Sequence, residues 1–219
     1  MTPLYETIFI DWYRTLSHSF FWEHWFNPEQ PSHPERQLFD RLQEGFRKGD
    51  LVAEWMRGHP TALQVCKLLA EQCEADPNHL LKHLIRSCRQ AKLASPKIPA
   101  LIAELKSRGT RVIVATDNMD VFVDWTVPAL SLLETFDDIV SSSQLGVLKS
   151  DVDPAGGSLF FTRYYGQQPF DPTRALLIDD SVLIGGLIAR QGLQFEAITP
   201  ERDLATVLRN LLGNAGSRG

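Results

Sequence analysis

Asp11 closes the apolar run Thr7-Ile8-Phe9-Ile10, and Thr15 follows it four residues later. Such a run reads as a strand, and a strand hands its last side chain to the sheet edge, where the backbone turns away. Open α/β sheets bind ligands beyond the carboxyl ends of their strands, so a carboxylate there is placed for nucleophilic attack or metal ligation. The same position suits an Asp that caps a helix, and this segment alone leaves both readings open. Later apolar runs end in groups suited to the same kind of site. One leads into Thr116-Asp117-Asn118, where a hydroxyl and the free N–H groups of a helix start can receive an anion. Another leads to Gly146-Val147-Leu148-Lys149, whose ammonium can neutralise an anionic substrate or a nucleophilic carboxylate. A third ends in Asp179-Asp180-Ser181, an acidic pair for which helix capping is the competing role.

The elements needed to position these groups are legible. Strands are predicted at 8–10, 111–115, 138–140, 175–178 and 195–198, as the near-continuous apolar runs of strands buried on both faces. Helices are predicted between and after the later strands, at 99–108, 120–133, 182–191 and 201–212. That alternation argues for an α/β fold with a parallel sheet covered on both sides. The interval 17–95 breaks it. An aromatic segment (Phe20, Phe21, Trp22, Trp25, Phe26) and stretches at 34–48, 51–56, 61–74 and 78–93 read as helices punctuated by prolines. This is a helical insert after the first strand. The residues at 213–219 are small and polar, and a frayed end is expected.

With 219 residues, 43% hydrophobic and 22% charged, the composition is that of an ordinary globular chain. A net charge of −5 gives no pull toward nucleic acid or an anionic membrane. No apolar run approaches the roughly 20 residues of a membrane span, and the first residues carry no signal-peptide pattern. Cys66, Cys73 and Cys88 lie in one helical stretch without zinc spacing, which fits reduced thiols used as small apolar residues in a cytoplasmic setting. Oligomeric state is not legible.

One Asp, one Thr, one Lys and an acidic pair, in that order at strand ends and with a helical insert after the first, resemble the haloacid dehalogenase superfamily over the whole chain. The four motifs fall on Asp11/Thr15, Thr116, Lys149 and Asp179/Asp180. The resemblance implies a Rossmann-like parallel-sheet core, residues 1–16 and 96–219, with an inserted all-helical cap of the C1 type, residues 17–95. It implies that Asp11 is a nucleophile forming a covalent aspartyl intermediate on a small anionic substrate. Thr15 would support the turn, Thr116 would hold a substrate oxygen and Lys149 would balance charge. Mg²⁺ would sit on Asp11, the Tyr13 backbone carbonyl and Asp180, with Asp179 beside it. The electrostatics support a metal cation or a Lys at this point. Two carboxylates about 4 Å apart repel by about 4 kcal/mol at an effective dielectric near 20, and an oxygen-rich site suits Mg²⁺.

The motifs point to two branches of that superfamily. Its phosphatases carry a second Asp two residues after the nucleophile, as acid for the leaving group and base for water; here Tyr13 stands there. A free phenol titrates near 10, against near 4 for Asp, so it is a poor base at neutral pH. The dehalogenases carry Tyr at this position, and halide leaves without a proton. They are, however, metal-free and lack the acidic pair. The acidic pair is harder to explain without a metal than Tyr13 is with one, so a Mg²⁺-dependent phosphatase-type reaction is expected. A metal-free 2-haloacid dehalogenase and a turnover-deficient ligand- or partner-binding member are the alternatives. Arg14 occupies a slot usually held by Gly and offers a guanidinium for bidentate capture of phosphate or carboxylate. Asn118 and the cap residue Arg41 (or Arg36) are further substrate-binding candidates. His18 and His24 are candidate replacements for the missing acid. Lys48, Lys67, Lys82 and Lys92 are candidates for the cap lysine of the phosphonoacetaldehyde hydrolases, which also lack the second Asp.

Overall fold

The computed structural model describes residues 3–26, 29–47 and 49–214. Lys48 and the last five residues of the expected frayed end lie outside them. Five parallel strands, β1 (Thr7–Ile10), β2 (Arg111–Thr116), β3 (Asp138–Ser141), β4 (Ala175–Asp179) and β5 (Gln194–Ala197), form one sheet in the order β3-β2-β1-β4-β5. β1 lies at its centre, with Ile10 opposite Val114 on one side and Ile178 on the other.

Alternate side chains of each strand enter two separate cores, as expected where helices cover both faces of a parallel sheet. Ile8, Ile10, Val112, Val114, Leu176 and Ile178 pack with α5 (Ile98–Ser107) and α11 (Leu204–Asn214). Phe9, Ile113, Ala115 and Leu177 pack with α9 (Leu159–Gln167) and α10 (Val182–Ala189).

Between β1 and α5 stand α1 (Pro34–Phe46), α2 (Leu51–Met56), α3 (Ala62–Cys73) and α4 (Pro77–Arg89). Their starts are written in the sequence. Pro34 and Pro77 open α1 and α4, and the Asp76 carboxylate accepts from Asn78 N at 3.0 Å. Thr61 and Gln64 form a capping box at α3. Trp22, Trp25 and Trp55 are buried in a core of these helices that also encloses the three cysteines. Burial pushes the Cys66 and Cys88 thiols up to about 12, so they are inert apolar residues, as expected. The aromatic segment itself is not a full helix but a single 3₁₀ turn, Glu23–Trp25.

The two crossings between sheet and helical cap run side by side. Ala94 N donates to Leu16 O at 2.8 Å, Ser17 Oγ to Lys92 O at 2.7 Å, and Lys92 N to Ser19 Oγ at 3.1 Å. Far from these crossings the cap meets the core again. Arg57 donates to both carboxylate oxygens of Asp151, at 2.7 and 3.1 Å, and Ser142 Oγ donates to Met56 O at 2.6 Å.

The helix expected over 120–133 is broken. A π turn (Phe122–Thr126) leads into the short α6 (Val127–Ala129), and α7 (Leu132–Thr135) restarts after Ser131 at φ 48°. Pro128 has no N–H to give to the preceding turn, so the hydrogen-bond ladder is interrupted there although Val127 keeps a helical backbone. α8 (Ser142–Leu145) and α9 were not expected.

Candidate active site

Asp11 continues β1 by one residue, its N–H bonding Ile178 O at 2.9 Å, so its side chain emerges at the sheet edge. The chain then folds back tightly. Leu16 N reaches Asp11 O at 3.2 Å and Ser17 N reaches Trp12 O at 2.8 Å. The turn requires a left-handed residue, and Arg14 supplies it at φ 60°. A side chain there costs about 1–2 kcal/mol. Arg14→Gly is therefore expected to stabilise the fold by about 0.5–1 kcal/mol after the added freedom of the unfolded glycine is subtracted. Urea denaturation checks this. The Arg14 guanidinium stands 4.0 Å from Asp180, and its exposure makes that pair a weak offset.

β2, β3 and β4 bring the other groups to the same edge. Lys149, just 2% exposed, donates from Nζ to Asp11 Oδ1 at 2.6 Å, to Asp179 Oδ2 at 2.5 Å and to Ala115 O at 3.2 Å. Its loop is fixed on three sides: Lys149 N bonds Asp117 Oδ1 at 2.9 Å, Ser158 Oγ bonds Lys149 O at 2.8 Å, and Leu148 N bonds the Arg57-paired Asp151 at 2.8 Å. Burial alone would drive the proton off Lys149. The facing carboxylates of Asp11, Asp179 and Asp117 overcome it and hold the ammonium well above the ordinary lysine range.

One ammonium cannot neutralise two buried carboxylates. Burial pushes the Asp11 carboxyl up to about 7, with Lys149 opposing and Asp179 reinforcing the rise. Asp180 is raised by burial and by Asp179, and Asp117 chiefly by burial. Carboxylate oxygens of Asp11, Asp179 and Asp180 lie within 4.8 Å of one another. Lys149→Met would leave this cluster uncompensated. It is expected to cost about 3–5 kcal/mol, the usual penalty for stripping one partner from a buried pair, measured by denaturant unfolding in EDTA.

These groups floor a cavity of about 520 Å³ between core and cap. Asp11, Asp117, Asp179, Asp180, Lys149 and Asn118 line its core side, while Phe20, Phe21 and Met56 come from the cap. Tyr13, 43% exposed, is on the wall. The aromatic segment thus divides: Trp22 and Trp25 are cap core, Phe20 and Phe21 cavity wall.

Other candidates lie off the cavity wall. Thr116 ends β2, but its hydroxyl is buried with no hydrogen-bond partner among the described residues, and the residue does not line the cavity. The wall there is Asp117 and Asn118. Thr15 is likewise buried behind the turn, its hydroxyl without a hydrogen-bond partner among the described residues. Arg41 is exposed on α1 and lines no part of the cavity, and neither does Arg36. His18 faces a neighbouring groove with Arg14 and Asp203, while His24 bonds His83 at 2.8 Å within the cap. Lys67, Lys82 and Lys92 are also absent from the wall. Asp117, whose carboxylate holds the Lys149 loop, was missed, although it directly follows Thr116 in the sequence.

Among known proteins, the family model of haloacid dehalogenase-like hydrolases matches residues 8–178. A HAD-like family hydrolase from Porphyromonas gingivalis superposes with a TM-score of 0.72 at 16% identity, covering 96% of this chain and 98% of that one. A HAD family enzyme from Bacteroides thetaiotaomicron, in complex with magnesium and inorganic phosphate, gives 0.65 at 13% identity, covering 93% and 98%. The L-2-haloacid dehalogenase from Xanthobacter autotrophicus, with chloropropionic acid covalently bound, gives 0.61 at 14% identity, covering 98% and 84%. No curated protein sequence matches this one.

Proposed function

For a chain that belongs to the haloacid dehalogenase-like hydrolases, we propose a Mg²⁺-dependent phosphatase-type reaction on a small anionic substrate, with Asp11 as the nucleophile. One observation carries the reading: four carboxylates and a single ammonium among the residues lining the cavity. A phosphate would be repelled by that floor unless a cation joined it. The donor set fits Mg²⁺, being made of carboxylate oxygens within 4.8 Å of one another on Asp11, Asp179 and Asp180. Tyr13 would add its backbone carbonyl. A bound Mg²⁺ would neutralise the excess charge and polarise a phosphoryl oxygen facing Asp11.

The chain's own groups divide the remaining work. Asp11 attacks phosphorus and forms the aspartyl phosphate. Lys149 opposes the rise that burial imposes on Asp11 and orients its carboxyl through the 2.6 Å bond. Asn118 takes the place on the cavity wall that was expected of Thr116, while Arg14, also expected there, lines the neighbouring groove and reaches the site only through its 4.0 Å pair with Asp180. With Tyr13 in place of an acid, no carboxyl stands ready to protonate the leaving group or activate water. Hydrolysis of the aspartyl phosphate is therefore the slow step.

The same reading divides the chain into a core of residues 1–16 and 96–219 and a cap of 17–95, supported by the paired crossings at Ser17 and Lys92. A cytoplasmic setting is supported by the use of Cys66, Cys73 and Cys88 as buried residues of the cap core, and no helix among the described residues is long and apolar enough to cross a membrane.

Tyr13 favours one second reading, a metal-free 2-haloacid dehalogenase. Assays of phosphate release from phosphomonoesters with Mg²⁺, and of chloride release from 2-chloropropionate in EDTA, separate the two. Metal-dependent phosphate release supports the first, and chloride release without metal overturns it.

A further inference from the structure

We propose, resting on the phosphoryl-transfer reading above, that the substrate is an aryl phosphate: the phosphomonoester of an apolar phenol. Two independent features carry this.

The first is the division of the cavity. Its charged groups lie on the core side, around Asp11 and Lys149. The cap contributes Phe20, Phe21 and Met56, with Ser19 as its polar residue among the described lining, and Trp12 and Met119 add apolar surface from the core. Leu183 of α10, just past the acidic pair, also lines the cavity and is 87% exposed. A volume of about 520 Å³ leaves most of the space for the organic part of the substrate. A sugar or polyol would press several hydroxyls against a wall that offers Ser19 alone from the cap, at the cost of desolvating the rest. Lys149 is the single cation among the described lining residues and is already held by Asp11 and Asp179, so a second anionic group on the substrate finds no partner there.

The second is Tyr13. Asp11 attacks phosphorus, the P–O bond to the leaving group breaks, and the electron pair leaves on that oxygen. An alkoxide needs a proton from an acid at that moment. A phenolate, whose conjugate acid titrates near 10, departs as the anion and takes its proton from solvent. Water then attacks phosphorus, the P–O bond to Asp11 breaks, and the protons of that water leave with the phosphate. Departure of the leaving group thus does not ask for the acid the chain lacks, and only the slower hydrolysis of the aspartyl phosphate still misses that carboxyl.

The test uses the full chain with Mg²⁺ and three probes: acetyl phosphate, 2-naphthyl phosphate and glycerol 3-phosphate. Acetyl phosphate is small, activated and without a ring, so intact-mass detection of phosphorylated Asp11 reads the phosphoryl-transfer chemistry alone. The proposal expects that label, and a kcat/KM for 2-naphthyl phosphate about 10²–10⁴-fold above that for glycerol 3-phosphate, the usual worth of the missing acid. Phe21→Ala should lower kcat/KM for 2-naphthyl phosphate about tenfold through the lost wall. Labelling by acetyl phosphate with 2-naphthyl phosphate no better than glycerol 3-phosphate overturns the aryl assignment and leaves the phosphoryl-transfer reading standing. Failure of both acetyl phosphate and 2-naphthyl phosphate to label Asp11 overturns both.

Discussion

Tyr13→Asp is expected to raise kcat/KM for an alkyl phosphate such as glycerol 3-phosphate by about 10²–10⁴-fold, the usual worth of acid–base help. The new carboxyl would stand two residues after Asp11 on the cavity wall, where Tyr13 is 43% exposed and an added charge stays hydrated. The gain depends on the leaving group. kcat/KM reports the steps through release of the alcohol, so it should rise for an alkoxide and stay nearly constant for 2-naphtholate. kcat for both substrates should rise, because the same carboxyl serves as base for the water that clears the aspartyl phosphate. A burst of naphthol in the wild type, absent in the variant, would show the slow step moving. Equal kcat/KM gains for both substrates would place the defect of the wild type elsewhere than in protonating the leaving group.

Asp11→Asn is expected to lower turnover of any substrate by at least about 10⁴-fold, and to make the protein more stable at pH 8. Both effects come from the same burial. A carboxyl whose folded-state pKa is raised from 3.8 to about 7 contributes most to stability below about pH 4, where it is protonated folded and unfolded. That contribution is lost as pH rises through 7, because the folded protein must carry the charge the unfolded chain carries freely. Asn keeps an oxygen acceptor for Lys149, which still holds Asp179 at 2.5 Å, and removes the charge. Thermal unfolding in EDTA should show the variant gaining on the wild type between pH 5 and 8, by on the order of 1–3 kcal/mol at the upper end. Full activity in the variant would remove Asp11 as the nucleophile.

What was legible in the sequence followed from local rules. The strands are apolar because both their faces are covered, and each reactive group sits where such a run stops. Asp11, Lys149, Asp179 and Asp180 could therefore be placed together from order and spacing, and the helical insert from the failure of alternation over 17–95. What escaped was set by tertiary contact. Leu159-Phe160-Phe161 carries no clear helical period, and it becomes α9 because Phe160, Phe161 and Tyr164 fill the core around Phe9, with Phe161 5.2 Å and Tyr164 5.7 Å from its ring. Thr116 and Asn118 are two residues apart, and only the path of the turn decides which one reaches the cavity. Phe20 and Phe21 differ from Trp22 and Trp25 in nothing a composition could register. Their separation into wall and core depends on how the cap docks, through contacts such as Arg57 with Asp151. Arg41, carried over from a resemblance to the dehalogenases, had no local support in this chain, and it stands on an exposed face of α1.

The most direct test of the account is calorimetric Mg²⁺ binding to the wild type and to Asp180→Ala. Binding should be seen in the wild type, should strengthen from pH 6 to pH 8 as Asp11 gives up a proton held up to about 7, and should be lost in the variant. Wild-type protein that binds no Mg²⁺ at pH 8 would contradict the metal-assisted reading and leave the Tyr13-type dehalogenase chemistry in its place.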